Sequence, residues 1–212
     1  GNAIINSTGK FGNASHFAVA GDYINIPYSQ SLNFSPSNVE FTISAWIYRK
    51  KAGQFQPIIG QGNPYNTNGR GWRSQYGTNN NLYFDIINGS SPVITVQGGT
   101  STSINYWEHV AIVVNRDGNA TIYRNGTLIV TGSIANVSTG SLGSSAIRIG
   151  ANGADTTNAF NGSIDDVLIF NRSLSQAEIQ SLYNATAYKY ENNFTNLVVG
   201  NHNFTAYAVD AV

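Results

Sequence analysis

Two adjacent aspartates, Asp165 and Asp166, stand in the middle of the apolar run SIDDVLIF (163–170). The chain of 212 residues has only 11 acidic side chains, so a pair of them inside an apolar run is a distinctive feature. A β-strand turns successive side chains to opposite faces, and one of the two carboxylates must therefore face the packed side of its sheet. A carboxylate in that position needs a hydrogen-bond or charge partner, and the identity of that partner bears on function.

A second group of side chains suited to ligand binding lies in QGNPYNTNGRGWRSQYGTNNN (61–81). Aromatic faces can stack on the apolar C–H surfaces of sugars, and guanidinium groups donate paired hydrogen bonds. The alternative is that the tryptophan and the last tyrosine begin the next strand and pack inward. A second candidate rim is the loop 150–162. The candidate ligand-binding residues of the two stretches are Tyr65, Arg70, Trp72, Arg73 and Tyr76 in the first, and Asn152 and Asp155 in the second.

The remaining polar residues do not indicate a catalytic or zinc site. His109 lies beside Trp107 in an alternating strand, which favours a packing role. His16 and His202 have no cysteine, histidine or acidic neighbour at the spacing of a zinc site. The patterns G-x-S-x-G, P-loop and H-E-x-x-H are absent, so the sequence predicts that the chain is not an enzyme.

The composition excludes several classes of partner. Charged residues make up 10% of the chain, against about 25% in an average soluble protein, and the formal net charge is zero. Nucleic acids and anionic membranes attract basic surfaces, so neither is predicted as the main partner. No apolar run approaches the roughly 20 residues of a membrane-spanning helix, so no membrane insertion is predicted. The absence of cysteine excludes a disulfide framework and thiolate metal sites.

Asparagine occurs in an unusual number of N-x-S/T triplets. The 28 Asn and 37 Ser or Thr of the chain predict about five such triplets by chance, whereas the chain has twelve. The triplets accept N-linked glycans on chains that enter a glycosylating compartment, and we predict that some are modified. The alternative is a polar, charge-poor surface made of Asn, Ser and Thr. The acceptors are Asn6, Asn13, Asn33, Asn88, Asn119, Asn125, Asn136, Asn161, Asn171, Asn184, Asn193 and Asn203.

Period-2 alternation of residue types dominates the chain and predicts β-strands. In FTISAWIY (41–48), every second residue from Phe41 is apolar and the other face is partly polar and aromatic. The segment 107–132 contains the two-residue turns Asp117-Gly118 and Asn125-Gly126, which adopt the positive-φ conformations that match strand twist. This segment is therefore predicted to form an antiparallel three-strand meander.

One helix is predicted late in the chain, in LSQAEIQSLY (174–183), where Ser175 and Glu178 form a capping box. With ten or more short strands, this predicts an all-β fold, an antiparallel β-sandwich of jelly-roll type with one short helix on its C-terminal side. The jelly-roll domain is predicted to span residues 1–186. The residues 187–212 are too few for an independent core, so this short β tail pairs with the main domain, belongs to an adjoining module or completes another chain.

Four segments in order resemble the laminin-G-like, concanavalin A-like jelly-roll domains of extracellular and surface proteins. The resemblance implies the same fold and an extracellular or cell-surface location. Such domains usually have a strand before the GKFG segment, but only eight residues precede it here, so the first edge strand is expected to be missing. The segments are GKFGNASHFAVAGDYINIP (9–27), FTISAWIY (41–48), YWEHVAIVVNRDGNATIYRNGTLI (106–129) and FNGSIDDVLIFNRSLSQAEIQSLY (160–183).

The resemblance also implies a structural calcium ion. In this family the first aspartate of the I-D-D-V strand often binds calcium together with backbone oxygens of the GDY loop, which implicates Asp165, Gly21 and Asp22. The alternative is that Asp165 accepts backbone N–H bonds near a strand end. Related jelly-roll glucanases carry an E-x-D-x-E strand, and no glutamate of this chain stands in that spacing.

Two functions remain open. The first is a non-catalytic recognition or adhesion module that binds a glycan or a protein partner, with calcium as a structural ion. The second is a glycosylated structural subunit of an extracellular layer, sheath or filament, assembled with copies of itself by strand complementation. The missing first strand, the tail and the dense acceptor triplets favour the second, whereas the family favours the first. A glycan hydrolase is a remote third function.

Overall fold

The computed structural model describes residues 3–6, 8–36, 39–64, 69–89, 92–101, 104–153 and 155–187. These residues form fifteen β-strands and one α-helix, α1 (Gln176–Ala187). The strands are β1 (Ile4–Asn6), β2 (Ala14–Phe17), β3 (Ile24–Ile26), β4 (Glu40–Arg49), β5 (Gln56–Gly62), β6 (Arg70–Tyr76), β7 (Asn81–Asn88), β8 (Ile94–Thr100), β9 (Trp107–Asn115), β10 (Asn119–Arg124), β11 (Thr127–Ser133), β12 (Ile147–Ile149), β13 (Ala151–Asn152), β14 (Asp155–Ala159) and β15 (Gly162–Phe170).

The strands build two antiparallel sheets that pack face to face. The seven-stranded sheet has the order β1-β2-β15-β4-β9-β10-β11, and the six-stranded sheet has the order β3-β12-β5-β6-β7-β8. The strands β13 and β14 form a separate hairpin. Apolar side chains from both inner faces make one large core. The predicted all-β antiparallel sandwich with one helix is therefore confirmed.

Strand β4 shows how the sequence pattern places the core. Its alternate residues Phe41, Ile43, Ala45 and Ile47 are all buried in the core between the sheets. Strand β4 pairs with β9, which continues through β10 and β11 as the predicted three-strand meander. The face of β4 that carries Thr42, Ser44, Trp46 and Tyr48 is consequently the outer face of the seven-stranded sheet.

Strand β1 occupies the edge that was expected to be empty. It pairs antiparallel with β2, with Ile5 opposite Ser15. The expectation of a missing first strand is therefore wrong, because three residues suffice to extend the sheet although they carry no sequence pattern of their own. Between this edge and β3 the sandwich remains open as an apolar groove, the edge groove, whose lining includes Ile5, Ile24 and Ile149.

Helix α1 covers part of the outer face of the seven-stranded sheet. The predicted capping box is present, since Ser175 N–H donates to the Glu178 carboxylate (2.8 Å) and Glu178 N–H donates to Ser175 Oγ (3.3 Å). Ile179 is fully buried against the sheet. Further along the helix, the Tyr183 ring stacks on Trp46, with 5.7 Å between the ring centroids.

The sandwich has two ends. At the Arg49 end, β4 finishes and β9 begins, whereas at the Glu40 end, β4 begins and β9 finishes. The tail 188–212 lies outside the described residues, so the predicted domain boundary stays a prediction. Among the residues that are described, no helix combines the length and the apolar character that crossing a bilayer requires.

Candidate carbohydrate-binding site

Asp165 binds the loop that precedes β2. Its Oδ2 accepts hydrogen bonds from the backbone N–H groups of Lys10 (2.8 Å) and Phe11 (3.1 Å). Its Oδ1 accepts a hydrogen bond from the N–H of Asp166 (2.9 Å). The backbone N–H bonds that the alternative predicts at Asp165 are therefore present.

Asp166 sits in a β-bulge that removes the conflict between the two carboxylates. Strand β15 has one more residue than β4 between Asp165 and Leu168. Asp166 adopts φ 45°, a left-handed conformation that aspartate tolerates better than most residues, and its side chain is exposed. Desolvation and, secondarily, the charge of Asp165 raise the pKa of the Asp166 carboxyl above its ordinary value.

The residues predicted to hold calcium do not converge. Asp22 Oδ2 accepts the N–H groups of Ala18 (2.9 Å) and Val19 (3.0 Å), in the loop that follows β2. Because Asp165 is bound to the loop before β2, the two carboxylates are separated by that strand, about 10 Å at 3.3 Å per residue. Backbone donors engage both carboxylates, and a calcium ion held by Asp165, Gly21 and Asp22 stays a prediction. In the described part of the chain, no three His, Asp or Glu side chains cluster as a metal site.

Trp72 and Tyr76 lie in the core rather than at the surface. Both side chains are 0% exposed and project from the inner face of β6. Trp72 Nε1–H donates to Gln61 Oε1 (3.1 Å), and the Tyr76 hydroxyl donates to Glu108. The inward-packing alternative is the one that the structure shows, and neither ring is available to a ligand at the surface.

Arg73 and Asn152 meet in one buried polar network on the six-stranded sheet. Arg73 Nε donates to Asp85 Oδ2 (2.9 Å), and Gln75 Nε2 donates to the same oxygen (3.4 Å). Asn152 Nδ2 donates to Gln75 Oε1 (3.4 Å). Arg73 is 8% exposed and Asn152 is 2% exposed, so this network fastens the β13–β14 hairpin to the sheet.

The other residues of the two predicted rims are dispersed. Arg70 lies at the start of β6, where its Nη1 donates to the carbonyls of Asn88 and Ser141, both at 2.7 Å. Arg70 thus braces a loop at the Glu40 end. Tyr65 and the side chain of Asp155 lie outside the described residues, and their predicted roles stay predictions.

His109 has the packing role predicted for it. The side chain is 1% exposed beneath α1, and its Nε2 hydrogen-bonds with Ser44 Oγ (2.8 Å). Its ring lies against Trp46 and Tyr183, at centroid distances of 5.3 and 5.8 Å. Burial lowers the pKa of His109 from 6.5 to about 4, so the ring is neutral at pH 7.

The twelve glycan acceptors differ in accessibility. Asn88 is 6% exposed and its Nδ2 donates to the Thr139 carbonyl (2.9 Å). In the folded chain this amide is therefore inaccessible to glycosylation. Half-buried Asn125 and Asn161 are hydrogen-bonded to the backbone of His109 (2.9 Å) and Ala18 (3.3 Å). Asn33 is also half-buried, and the side chains of Asn6, Asn193 and Asn203 lie outside the described residues. The exposed acceptors are Asn13, Asn119, Asn136, Asn171 and Asn184.

A half-exposed aromatic pair that none of the predictions includes stands at the Arg49 end of the seven-stranded sheet. Tyr48 on β4 lies directly opposite Trp107 on β9, with 5.5 Å between the ring centroids and 59° between the ring planes. Of the three tryptophans, Trp46 is 3% exposed and Trp72 is 0% exposed, so Trp107 is the one whose ring reaches the surface.

The pair lines a hollow of about 340 Å³, the Tyr48–Trp107 hollow, which also includes Thr8, Lys50 and Ser163. This volume falls at the lower end of small-molecule pockets. Ring faces can take the apolar C–H side of a sugar, while hydroxyl and ammonium groups hydrogen-bond with its hydroxyls. Because Tyr48, Trp107 and Ser163 stand on paired strands of one sheet, the hollow is preorganised.

Local sequence patterns give little sign of this hollow. The alternation of 41–48 places Tyr48 on an outer face, and Trp107 begins a predicted strand. The two rings are brought together by the register of β4 against β9, which are far apart in the sequence. Ser163 and Thr8 come from still more distant parts of the chain. A partly exposed aromatic residue at the same end of two central strands is the feature to look for.

Comparison with solved structures places the fold among binding domains. The binding domain of Paraclostridial Mosquitocidal Protein 1 has a TM-score of 0.68 at 23% identity, over 86% of this chain and 45% of that one. The binding domain of botulinum neurotoxin serotype G has a TM-score of 0.66 at 25% identity, over 88% and 45%. This chain therefore spans less than half of either toxin domain.

A third similar structure is of more equal length. Domain 4 of AbnA, an extracellular arabinanase of family GH43 from Geobacillus stearothermophilus, was solved in complex with arabinotriose. It has a TM-score of 0.63 at 21% identity, over 86% of this chain and 82% of that one. At this identity the likeness shows the fold alone.

The family is shown by the sequence itself. No functionally curated protein matches the chain in sequence at a significant level. The family profile Laminin_G_3, described as the concanavalin A-like lectin/glucanases superfamily, matches residues 19–180, which include most strands of both sheets and the start of α1. The chain belongs to this laminin-G-like, concanavalin A-like family.

Proposed function

We propose that the chain is a non-catalytic carbohydrate-recognition module of an extracellular or cell-surface protein. The observation that carries the proposal is the Tyr48–Trp107 hollow. It combines a half-exposed aromatic pair with hydroxyl groups and an ammonium group on a rigid sheet. Such a surface can hold a sugar by its apolar face and its hydroxyls together.

The family and the similar structures support this proposal at a coarser level. Laminin-G-like domains, toxin binding domains and one domain of an extracellular arabinanase share the architecture. Among the similar structures named above, the arabinanase domain is the one whose ligand is a sugar, and the chain covers 82% of it. Many functions use one fold, however, so the hollow and not the fold carries the argument.

The buried acidic residues support a non-catalytic role. Glu108 receives hydrogen bonds from Tyr76, from Ser101 (3.2 Å) and from Tyr106 (3.3 Å). Arg124 Nε lies 3.7 Å from its carboxylate. Asp85 and Asp22 are likewise occupied by internal donors. Carboxylates that are engaged in this way are not free to act as the paired acid and nucleophile of glycoside hydrolysis.

One of the three features that favoured the assembly function, the missing first strand, is not found. Strand β1 fills the edge of the seven-stranded sheet that strand complementation was expected to fill. Self-association of the chain stays a prediction, and its size in solution tests it. A monomer at micromolar concentration would favour recognition over assembly.

The proposal is tested by screening the full chain for binding to a panel of neutral and acidic polysaccharides by affinity electrophoresis. We expect retardation by at least one polysaccharide, without release of reducing sugar. Trp107→Ala should abolish the retardation. Tyr28→Ala is the matched control, because Tyr28 is a 39%-exposed aromatic residue outside the hollow. Equal retardation of the wild type and Trp107→Ala would contradict the proposal.

A further inference from the structure

We infer that the Tyr48–Trp107 hollow selects saccharides that carry an anionic group, with Lys50 as the residue that recognises the anion. This inference rests on the proposed function and names the class of ligand. The hollow offers an aromatic wall, two hydroxyl residues and one ammonium group. An uncharged sugar would engage the ammonium only through a neutral hydroxyl, whereas an anionic group would also interact with its charge.

The charge of Lys50 is available to a ligand. The side chain is exposed, and its backbone N–H is fixed to the carbonyl of Asn161 (2.9 Å), which holds the residue at the rim of the hollow. None of the ion pairs found among the described residues includes Lys50. A charge-assisted hydrogen bond from this ammonium to a carboxylate or sulfate would therefore be a new interaction and not an exchange of partners.

A second cation lies next to the hollow. Lys10 follows Gly9, which lines the hollow, and its Nζ lies 4.3 Å from the centre of the Trp46 ring. Trp46 and Tyr48 share the outer face of β4, so both ammonium groups belong to one side of the sheet. In a chain of 11 cationic side chains and zero net charge, two cations beside one hollow make a locally positive surface.

One acidic group, Asp165, lies beside the hollow, and its oxygens are turned to backbone donors. Asp165 approaches the hollow at Gly9, but three backbone N–H groups bind its two oxygens. Asp166 lines the edge groove rather than the hollow. Arg49 and Glu108 belong to the same end of the sandwich, but both are buried inside it. An anionic ligand at Lys50 would thus meet an ammonium before it meets a carboxylate.

The test is isothermal titration of the full chain with three oligosaccharides of equal length. They are a linear galacturonate, its methyl ester, which is neutral, and a sulfated galactan. We expect the galacturonate or the sulfated sugar to bind at least about tenfold more tightly than the neutral ester. The preferred one of the two identifies the anion as carboxylate or sulfate. This preference should shrink as salt is raised, because the site is exposed.

Two lysine variants separate the contribution of Lys50 from the effect of overall charge. Lys50→Gln should weaken binding of the acidic sugar about five- to tenfold and that of the neutral ester by less than about twofold, because glutamine can still donate a hydrogen bond to a sugar hydroxyl. Lys51→Gln is the matched control, because it removes the same charge one residue away, on a different groove that includes Phe55. It should change either affinity less than about twofold.

The outcomes separate this inference from the proposed function. Equal affinity for acidic and neutral sugars, with loss of both in Trp107→Ala, would overturn the inference and keep the carbohydrate site. Equal effects of Lys50→Gln and Lys51→Gln would also overturn it, because the preference would then reflect overall charge. Sugar binding that is unchanged in Trp107→Ala would overturn both.

Discussion

At the scale of single residues, Asp165 acts as a clamp for the loop before β2. Three backbone N–H groups converge on its two oxygens. Hydrogen bonds to a charged acceptor are stronger than those between neutral groups, and a buried N–H without an acceptor is costly. The two adjacent aspartates therefore have different roles. Asp165 accepts the backbone hydrogen bonds of the loop, and Asp166 occupies the β-bulge.

Replacing Asp165 by alanine is expected to lower the free energy of unfolding by about 1–3 kcal/mol, because three donors lose their acceptor. Asp166→Asn is the matched control. Its side chain is exposed and asparagine also tolerates φ 45°, so stability should change by less than about 0.5 kcal/mol. Urea denaturation with and without a chelator measures both effects. Destabilisation of the wild type, but not of Asp165→Ala, by the chelator would contradict the clamp and favour a calcium ion.

His109 makes the stability depend on pH below neutrality. Its pKa is 6.5 in the unfolded chain and about 4 in the folded chain, because burial disfavours the charged ring. Between these values the unfolded state binds a proton that the folded state does not. The stability contributed by neutral His109 is thus complete above pH 6.5 and is lost as the pH falls toward 4, by about 3 kcal/mol.

Urea denaturation of the wild type and His109→Gln between pH 7.5 and pH 4.5 measures this contribution. Glutamine keeps a polar group near Ser44 and has no titration in this range. The free energy of unfolding of His109→Gln should consequently fall less steeply with decreasing pH than that of the wild type. Parallel pH profiles would mean that other groups account for the acid sensitivity.

The sequence predicts single-residue roles only where the determining neighbours are local. The packing role of His109 follows from the alternation of its strand. The sequence does not decide whether Trp72 lies in a loop or in a buried strand, because a single aromatic residue is compatible with both. The partner of Asp165 is Lys10, 155 positions away, which no local pattern reveals.

At the scale of elements, Arg116 holds together the loops at the Glu40 end. The side chain is 0% exposed and follows β9. Its Nη1 donates to the carbonyls of residues 34–36 at 2.6–3.3 Å, and its Nη2 donates to those of Val137 (2.6 Å), Thr139 (3.4 Å) and Gly140 (2.8 Å). Burial lowers the pKa of Arg116 below its ordinary value. Two irregular segments thus depend on one guanidinium for their hydrogen bonds.

Arg116→Lys should lower the free energy of unfolding by about 3 kcal/mol or more, since an ammonium cannot reach both groups of carbonyls and leaves some without a donor. Arg172→Lys is the matched control, because Arg172 forms a solvent-exposed ion pair with Glu178, and its loss of stability should be much smaller. Thermal and urea denaturation of the two variants measure the difference. Losses of equal size would contradict the bracing role.

Elements with a local signal are predictable, and the others are not. The alternation in β4, the turns of the meander and the capping box of α1 are readable from the sequence and are confirmed. Strand β1 and the β13–β14 hairpin have too few residues for a periodic pattern, and they form because neighbouring strands offer hydrogen-bond partners. Because this hairpin has no periodic pattern, the sequence predicts a loop rim at 150–162, where the structure has β13 and β14.

At the scale of the whole molecule, the two ends of the sandwich differ in chemistry. Three of the five exposed acceptors lie at the Glu40 end, where Asn119 begins β10, Asn136 follows β11 and Asn171 follows β15. The Tyr48–Trp107 hollow lies at the Arg49 end, where Asn125 and Asn161 are hydrogen-bonded to the backbone. Glycans on Asn119, Asn136 and Asn171 would therefore leave the hollow open.

We accordingly expect glycopeptide mapping of the folded chain, recovered from a glycosylating host, to find glycan on Asn119, Asn136 and Asn171. Asn88 should be unmodified, because its amide is buried and donates to Thr139. Deglycosylation should leave the affinity for a bound saccharide unchanged. High occupancy at Asn88 in the folded chain would contradict the assigned accessibility.

The most direct test of the carbohydrate site is an NMR titration that follows the three tryptophan indole N–H signals while a bound saccharide is added. Trp46 and Trp72 are buried, and Trp107 is half-exposed. We expect the Trp107 indole signal to shift, together with the amide signals of Tyr48 and Ser163, while the Trp72 indole signal does not move. Shifts confined to the buried network of Arg73 and Asn152 or to the edge groove, with Trp107 unchanged, would contradict it.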